Sequence, residues 1–223
     1  KTIGLRVTKT EEVEGLDKLA PCGSGNPAPR FVVRGAAVED GYPVTEGKHS
    51  RLRLRQGGQT IYAVLFGARP ETLAYRQGDV IDVLLGLSVY DGKMGKQVSG
   101  RIYELRPAGL GDEHVQQIAL FESFLAGTKL SEEQRTLINP AREDVADVYR
   151  AVKSERPPSF GDVRALFSKL GEERTGRMLA ALTALEELGL IKQNPATGCY
   201  EAVPVEQKKD LMSSKLLQRI VNS

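Results

Sequence analysis

The 223-residue chain has no tryptophan, only 6% aromatic residues, two histidines and two cysteines. Cys22 and Cys199 lie far apart and form no CxxC pair, which excludes a disulfide scaffold and fits a reduced, cytoplasmic setting. No apolar run reaches the roughly 18 residues of a transmembrane helix, and no secretory leader pattern is present. His49 and His114 stand near no cysteines or carboxylates at metal-ligand spacing. Gly47-Lys48 and Gly92-Lys93 lack the upstream glycine and downstream Ser/Thr of a phosphate-binding loop, and there is no Gly-x-Ser-x-Gly elbow. Gly23, Gly25 and Ala28 fit a loose G-x-G-x-x-A pattern, but Pro27 and Pro29 stand where its helix would begin. The acidic pairs Glu11–Glu12, Glu132–Glu133, Glu172–Glu173 and Glu186–Glu187 read as solvated helix faces rather than acid/base dyads. The chain therefore reads as non-catalytic by itself.

What is present is an ordinary globular composition, 40% hydrophobic and 27% charged, with enough apolar material for a packed core. At about 150 residues per domain the length predicts one large domain or two small ones. The net charge of +2 is unevenly spread. Residues 1–107 hold 16 Lys/Arg against 12 Asp/Glu, and the remainder holds 15 against 17. Glycine and β-branched residues dominate the first half, and Leu, Glu and Ala the second. The pattern predicts an N-terminal connector over 1–29, a β domain over 30–107 and a helical domain over 108–223. The chain opens on Lys1 rather than Met, which predicts a piece of something longer.

A short helix is predicted over 11–19, followed by a rigid, proline- and glycine-rich connector over 21–29. From Phe31 the period switches to two. Strands are predicted at 31–39, 50–55, 60–66, 79–90 and 96–105, with a hairpin turn at Gln56-Gly57-Gly58-Gln59 and another at Asp91-Gly92. A short helical stretch is expected at 70–75. Three strands, a short helix and two strands match the five-stranded Greek-key barrel called the OB-fold. An SH3-like barrel is the competitor, and the intervening helix favours OB.

The second half carries helical spacing. Val115, Ile118, Phe121 or Glu122, and Leu125 mark a helix over 113–126. Ser131-Glu132-Glu133-Gln134 is a capping box that opens a short helix. Val145, Val148, Tyr149 and Val152 share a face over 142–153. Pro157-Pro158 breaks the chain, Ser159 caps a helix reaching Leu170, and the longest helix runs over 172–188 with Gly189 at its C-terminal cap. Short strands at 190–193 and 199–203 complete a winged-helix-like arrangement, and a terminal helix is expected over 206–221. The fold class is thus an all-β OB barrel followed by a mainly α, winged-helix-like domain.

The one positive functional signal lies on the second strand. Strand alternation sends Arg51, Arg53 and Arg55 to one face and Leu52 and Leu54 to the other. With Lys48 they form a basic stripe with no acid between them in sequence, as a phosphate-tracking groove requires. Tyr62, Phe66 and Tyr90 interleave aromatic rings nearby, and Lys93, Lys96 and Arg101 follow at or after the last hairpin. Single-stranded nucleic acid is held in this manner, bases stacked on rings and basic groups along the backbone. Barrel packing is the alternative role for Phe66 and Tyr62, and hairpin cover for Tyr90. In the helical half, Arg174, Arg177 and Lys192 could touch a phosphate backbone, but Glu172 and Glu173 beside them favour a structural or protein-interaction role.

The stretch Leu19-Ala20-Pro21-Cys22-Gly23-Ser24-Gly25-Asn26-Pro27-Ala28-Pro29-Arg30-Phe31 resembles RecJ-type single-stranded-DNA exonucleases at the entry to their OB domain, with Cys22 in place of a phenylalanine. The resemblance continues through Leu52-Arg53-Leu54-Arg55-Gln56-Gly57-Gly58, Ala63-Val64-Leu65-Phe66-Gly67 and Gly78-Asp79-Val80-Ile81-Asp82-Val83, and ends at Leu105-Arg106-Pro107. The helical half is similar, less specifically, to the extra C-terminal region of some bacterial members. The resemblance implies the non-catalytic, single-strand-binding part of a 5′→3′ exonuclease of repair and recombination. Its Mn²⁺ or Mg²⁺ would sit in N-terminal catalytic domains whose Asp-His-His and Gly-Gly-His motifs are not in this sequence, with no cofactor in this part. Single-stranded DNA is the implied partner of the barrel, and a protein such as single-stranded-DNA-binding protein that of the helical domain. The alternative is a structural or protein-docking module without direct DNA binding.

Overall fold

The computed structural model describes all residues except 1, 6–8, 24, 71, 72, 74, 93, 94, 155–161, 196, 197, 206, 208 and 223. Lys93, half of the stretch expected at 70–75 (residues 71, 72 and 74), and the Pro157-Pro158 break with its Ser159 cap lie outside the described residues. The chain divides into two compact units, 1–108 and 109–223.

The first unit is a closed barrel. Its strands are β2 (Phe31–Val44), β3 (His49–Gln56), β4 (Gln59–Leu65), β5 (Val80–Gly92) and β6 (Gly95–Pro107), preceded by a two-residue strand β1 (Thr2–Ile3). The order β2-β3-β4-β6-β5, with β2 also pairing β5, closes the sheet. The β4–β6 pairing is parallel, whereas the other pairings between barrel strands are antiparallel. Alternation sets the interior, where Val33, Leu52, Leu54, Ile61, Ala63, Ile81, Val83, Leu85 and Ile102 are at most 3% exposed. β2 runs well past its predicted end, to Val44, while β5 and β6 each run two residues past theirs, to Gly92 and Pro107. In β2 two shifts in register let one strand serve two neighbours. One lies between Val33 and Ala36 against β5, where Gly35 takes φ +67°, and the other between Val38 and Asp40 against β3.

Closure is tight where β4 meets β6. A Cβ on Gly100 would stand 2.8 Å from Ala63 Cβ. Gly100→Ala is therefore expected to cost about 1–3 kcal/mol through overpacking, read as a lowered melting temperature of the barrel. A melt indistinguishable from the parent would show that the two strands separate freely. At the β2–β5–β6 seam, the buried Asp82 accepts two hydrogen bonds from Arg106 (3.1 and 3.2 Å) and one from the Gly35 N–H (3.0 Å).

The N-terminal segment packs on this barrel. β1 pairs in parallel with Val32 and Val33, and Leu5 enters the core. The helix predicted over 11–19 is a short α1 (Thr10–Glu14) continued by a 3₁₀ turn (Gly15–Leu19). In the connector, Gly23 and Asn26 bridge, and the Asn26 amide donates to Leu19 O and Pro21 O at 3.0 and 3.1 Å.

The second unit contains α2 (Glu113–Leu125), α3 (Glu132–Ile138), α4 (Arg142–Lys153), α5 (Arg164–Leu170), α6 (Thr175–Glu187) and α7 (Lys215–Asn222), with a hairpin of β7 (Ile191–Gln193) and β8 (Tyr200–Ala202). The Ser131 capping box forms, with Ser131 Oγ accepting from Gln134 N and Gln134 Oε1 from Ser131 N. α6 is enclosed on two sides: Met178, Ala181, Leu182 and Leu185 face one core, and Ala180 and Ala184 face another with Phe121, Phe124 and Leu217.

Three helices depart from expectation, α6 in starting at Thr175 after a 3₁₀ turn over Glu172–Arg174 and in being no longer than α2. In α2, Val115 and Leu125 are exposed, while His114, Gln117, Phe121 and Phe124 are buried. The rotation follows from Gln117, whose amide donates to Glu173 O (2.9 Å) and accepts from Gly176 N (2.8 Å). It thereby satisfies a free N–H in the first turn of α6, and a polar residue occupies an inward position. The terminal helix is shorter than the expected 206–221, because Ser214 starts it. Ser214 Oγ accepts from Leu217 N and donates to Glu187, which also accepts from Leu216 N. Glu187 is thus a capping group rather than a solvated acid. Glu172 likewise accepts from Gly111 N at 2.8 Å.

Candidate nucleic-acid interface

The barrel's outer face is built by register. Tyr42, Arg51, Val64 and Arg101 lie opposite one another across β2, β3, β4 and β6, and Asp40, Arg53, Tyr62 and Ser99 form the next row. Leu52, Leu54, Ile61 and Ala63 alternate with these residues into the core, so their neighbours must point outward.

On this face the arginines lie against the aromatic rings. The Arg51 guanidinium is 4.6 Å from the Tyr62 ring centre, and its Nη2 is 3.5 Å from the Tyr90 hydroxyl. Tyr90 donates in turn to Gln97 Oε1 at 2.7 Å. The Arg101 guanidinium stands 5.1 Å from both Phe66 and Tyr103, and Arg30 stands 4.0 Å over Tyr103. His49 meets Phe66 edge-on at 4.9 Å, and its Nδ1 accepts from Gly67 N. Tyr62, Phe66, Tyr90 and Tyr103 remain 36–53% exposed, so none is a core residue. Barrel packing is thereby set aside for Tyr62 and Phe66. Arg51 Nε is buried and has no hydrogen-bond partner among the described residues.

The stripe is not as uncompensated as it looks in sequence. Glu39 on β2 reaches across to it, with Oε2 at 2.9 Å from Arg53 Nε and Oε1 at 3.0 Å from Arg55 Nε. Strand pairing places this acid between arginines that have none in sequence. Lys48 makes a loose surface pair with Glu46 at 3.6 Å. Lys96 binds Glu14 of α1 at 2.5 Å, and this contact holds its ammonium above the usual lysine range. Lys96 is therefore tied to the N-terminal segment. Nearby, the Tyr42 hydroxyl donates to Asp40, lowering the carboxyl and raising the phenol. Glu39→Gln is expected to free two guanidinium groups and tighten single-strand binding up to about fivefold at 0.1 M salt, one phosphate contact's worth. Weaker binding would show that Glu39 positions the arginines instead.

Sequence reasoning missed Tyr103, Arg30, His49 and Gln97. Tyr103 was legible in part, since Arg101 and Tyr103 share a strand face while Ile102 is apolar. The signal was incomplete because the β5–β6 ladder shifts between Leu84 and Leu85, opposite Tyr103. Gly86 makes room for this ring: a Cβ there would lie 3.0 Å from Tyr103 Cε2.

In the helical unit the cations considered for phosphate contact are engaged. Arg174 binds Asp144 at 2.7 and 2.9 Å and Asp147 at 2.8 Å. Arg177 lies 3.6 Å from Asp144, and Lys192 lies 3.5 Å from Glu201. Among the described residues no three His, Cys, Asp or Glu side chains converge to hold a metal ion. Among them, too, no helix is long and apolar enough to cross a membrane.

Strand order, closure and the ringed outer face define an OB-fold domain. Residues 3–102 match the family described as the RecJ OB domain. Among solved structures, the chain is similar to RecJ of Thermus thermophilus in complex with Mn²⁺, with 21% identity and a TM-score of 0.34, covering 45% of this chain and 15% of that one. It is similar to a replication protein A heterotrimer bound to single-stranded DNA, with 15% identity and a TM-score of 0.29, covering 47% and 79%. It is also similar to the second OB-fold domain of replication protein A from Methanococcus maripaludis, with 15% identity and a TM-score of 0.27, covering 37% and 87%. The chain thus spans less than a sixth of the Thermus RecJ chain. No curated protein matches the sequence.

Proposed function

We propose that the barrel binds single-stranded DNA on its β3–β4–β6 face as the non-catalytic part of a 5′→3′ single-strand exonuclease of repair and recombination. The observation that carries this reading is the set of four exposed rings, each in contact with an arginine. Phosphates follow the guanidinium groups, and unstacked bases lie on the rings, which need no particular sequence because every base has a π-face. Duplex DNA buries its bases and cannot use the rings. Cleavage and its Mn²⁺ or Mg²⁺ belong to catalytic domains upstream, to which the barrel delivers the strand.

The test is titration of a labelled oligonucleotide against parent and Tyr62→Ala protein. Loss of the ring is expected to cost about 1–3 kcal/mol of single-strand binding with little change in salt dependence. Because Tyr62 is 36% exposed, the melting temperature should barely move. Unaltered binding by the variant would contradict the reading.

A second role belongs to the helical unit. The order α4, α5, α6 and the β7–β8 hairpin supports a winged-helix reading, yet its cations are held by Asp144, Asp147 and Glu201. This occupancy favours protein docking, with single-stranded-DNA-binding protein as the partner class, over contact with a phosphate backbone.

A further inference from the structure

We propose that the cleft between the N-terminal connector and β5 receives one unstacked nucleobase of the strand bound on the outer face, an inference that rests on the single-strand reading above. The cleft has a volume of about 430 Å³. That is within the roughly 300–1,000 Å³ of small-molecule sites. Its walls are apolar where Ala20, Ala28, Pro29 and Leu87 line it, and Arg101 and Tyr103 stand at one side. Among the described residues that line it none is acidic, and the one charged group among them is the Arg101 guanidinium. A flat, apolar-faced, polar-edged base carried on an anionic backbone fits this lining; a cationic ligand does not.

The cleft is continuous with the outer array through a single side chain, since the Arg101 guanidinium stands 5.1 Å from Phe66 as well as from Tyr103. A strand whose phosphate meets Arg101 therefore has one base over Phe66 and the next at the cleft mouth. Two features hold the cleft in shape. Gly86 leaves space beside β5 for the Tyr103 ring. Asn26 fastens the opposite wall to Leu19 O and Pro21 O.

Cys22 lines the cleft and is exposed, which makes it a local reporter; Cys199, in the other unit, is the internal reference. The experiment measures the rate of N-ethylmaleimide modification of each cysteine in the 223-residue chain by mass spectrometry. Anisotropy titration establishes saturation in parallel. At saturating oligothymidylate, Cys22 should react at least about tenfold more slowly and Cys199 at its free rate. A saturating sugar–phosphate oligomer without bases should leave Cys22 fast. Saturation by anisotropy with Cys22 still reacting at its free rate would empty the cleft while leaving single-strand binding intact. Equal protection by the base-free oligomer would place backbone, not base, in the cleft, and would overturn the inference. Failure of oligothymidylate to bind at all would remove the single-strand reading and this inference with it. Ala28→Phe, which fills the cleft while leaving every arginine in place, should weaken oligothymidylate binding about fivefold without altering the salt slope; unchanged affinity in a folded variant would count against an inserted base.

Discussion

Replacing Arg51 and Arg101 together with alanine is expected to weaken single-strand binding about 25-fold at 0.1 M salt. Each phosphate contact on a single strand adds about 0.7 to the slope of log K against log salt. Between 1 M and 0.1 M, one contact is therefore worth roughly a factor of five, and two contacts about 25. The slope itself should fall by about 1.4. These two arginines matter most because no carboxylate is among the contacts described for them: Arg51 lies between Tyr62 and Tyr90, and Arg101 between Phe66 and Tyr103. Arg53, held at 2.9 Å from Glu39, should contribute less. Thermal melts should shift little, since both side chains lie on the outer face. An unchanged salt slope in the double variant would remove phosphate tracking from this face.

Asp144→Ala is expected to destabilise the helical unit by about 3–5 kcal/mol, the cost of breaking a buried ion pair by removing one partner. Asp144 is 3% exposed. One oxygen receives two hydrogen bonds from Arg174, and the other receives the Ala141 N–H at 2.8 Å at the start of α4. Truncation leaves Arg174 with Asp147 as its one carboxylate among the described contacts, beside a long contact to Leu170 O, and the first turn of α4 uncapped. Urea unfolding followed by the helical circular-dichroism signal measures the effect. Asp144→Asn retains an acceptor for Ala141 N and should fall between variant and parent. A loss below about 1 kcal/mol for the alanine variant would mean that water replaces the carboxylate without cost.

The barrel was readable because its rules are local. Alternation at Leu52 and Leu54 against Arg51, Arg53 and Arg55, and the Gln56–Gln59 turn, fix strand faces within a few residues. The α2 face was misread for the converse reason. Apolar periodicity favoured Val115 and Leu125, whereas burial of Gln117 depends on unpaired groups at the start of α6, 56 and 59 residues away in sequence. The candidate site divides in the same way. That the arginines share a face follows from a period of two. That Glu39 neutralises two of them, that Glu14 holds Lys96, and that Arg30 joins Tyr103 depend on strand pairing and on the fold-back of the N-terminal segment. No spacing rule on one strand contains these contacts.

The most direct measurement is the affinity of this chain for a labelled single strand and for the matching duplex, followed by anisotropy from about 0.05 to 0.5 M salt. With about four basic groups meeting phosphates, log K should fall against log salt with a slope near −3, and the single strand should bind more tightly than the duplex at every salt concentration. A flat response, or equal affinity for the duplex, would contradict single-strand binding on the arginine- and ring-lined face.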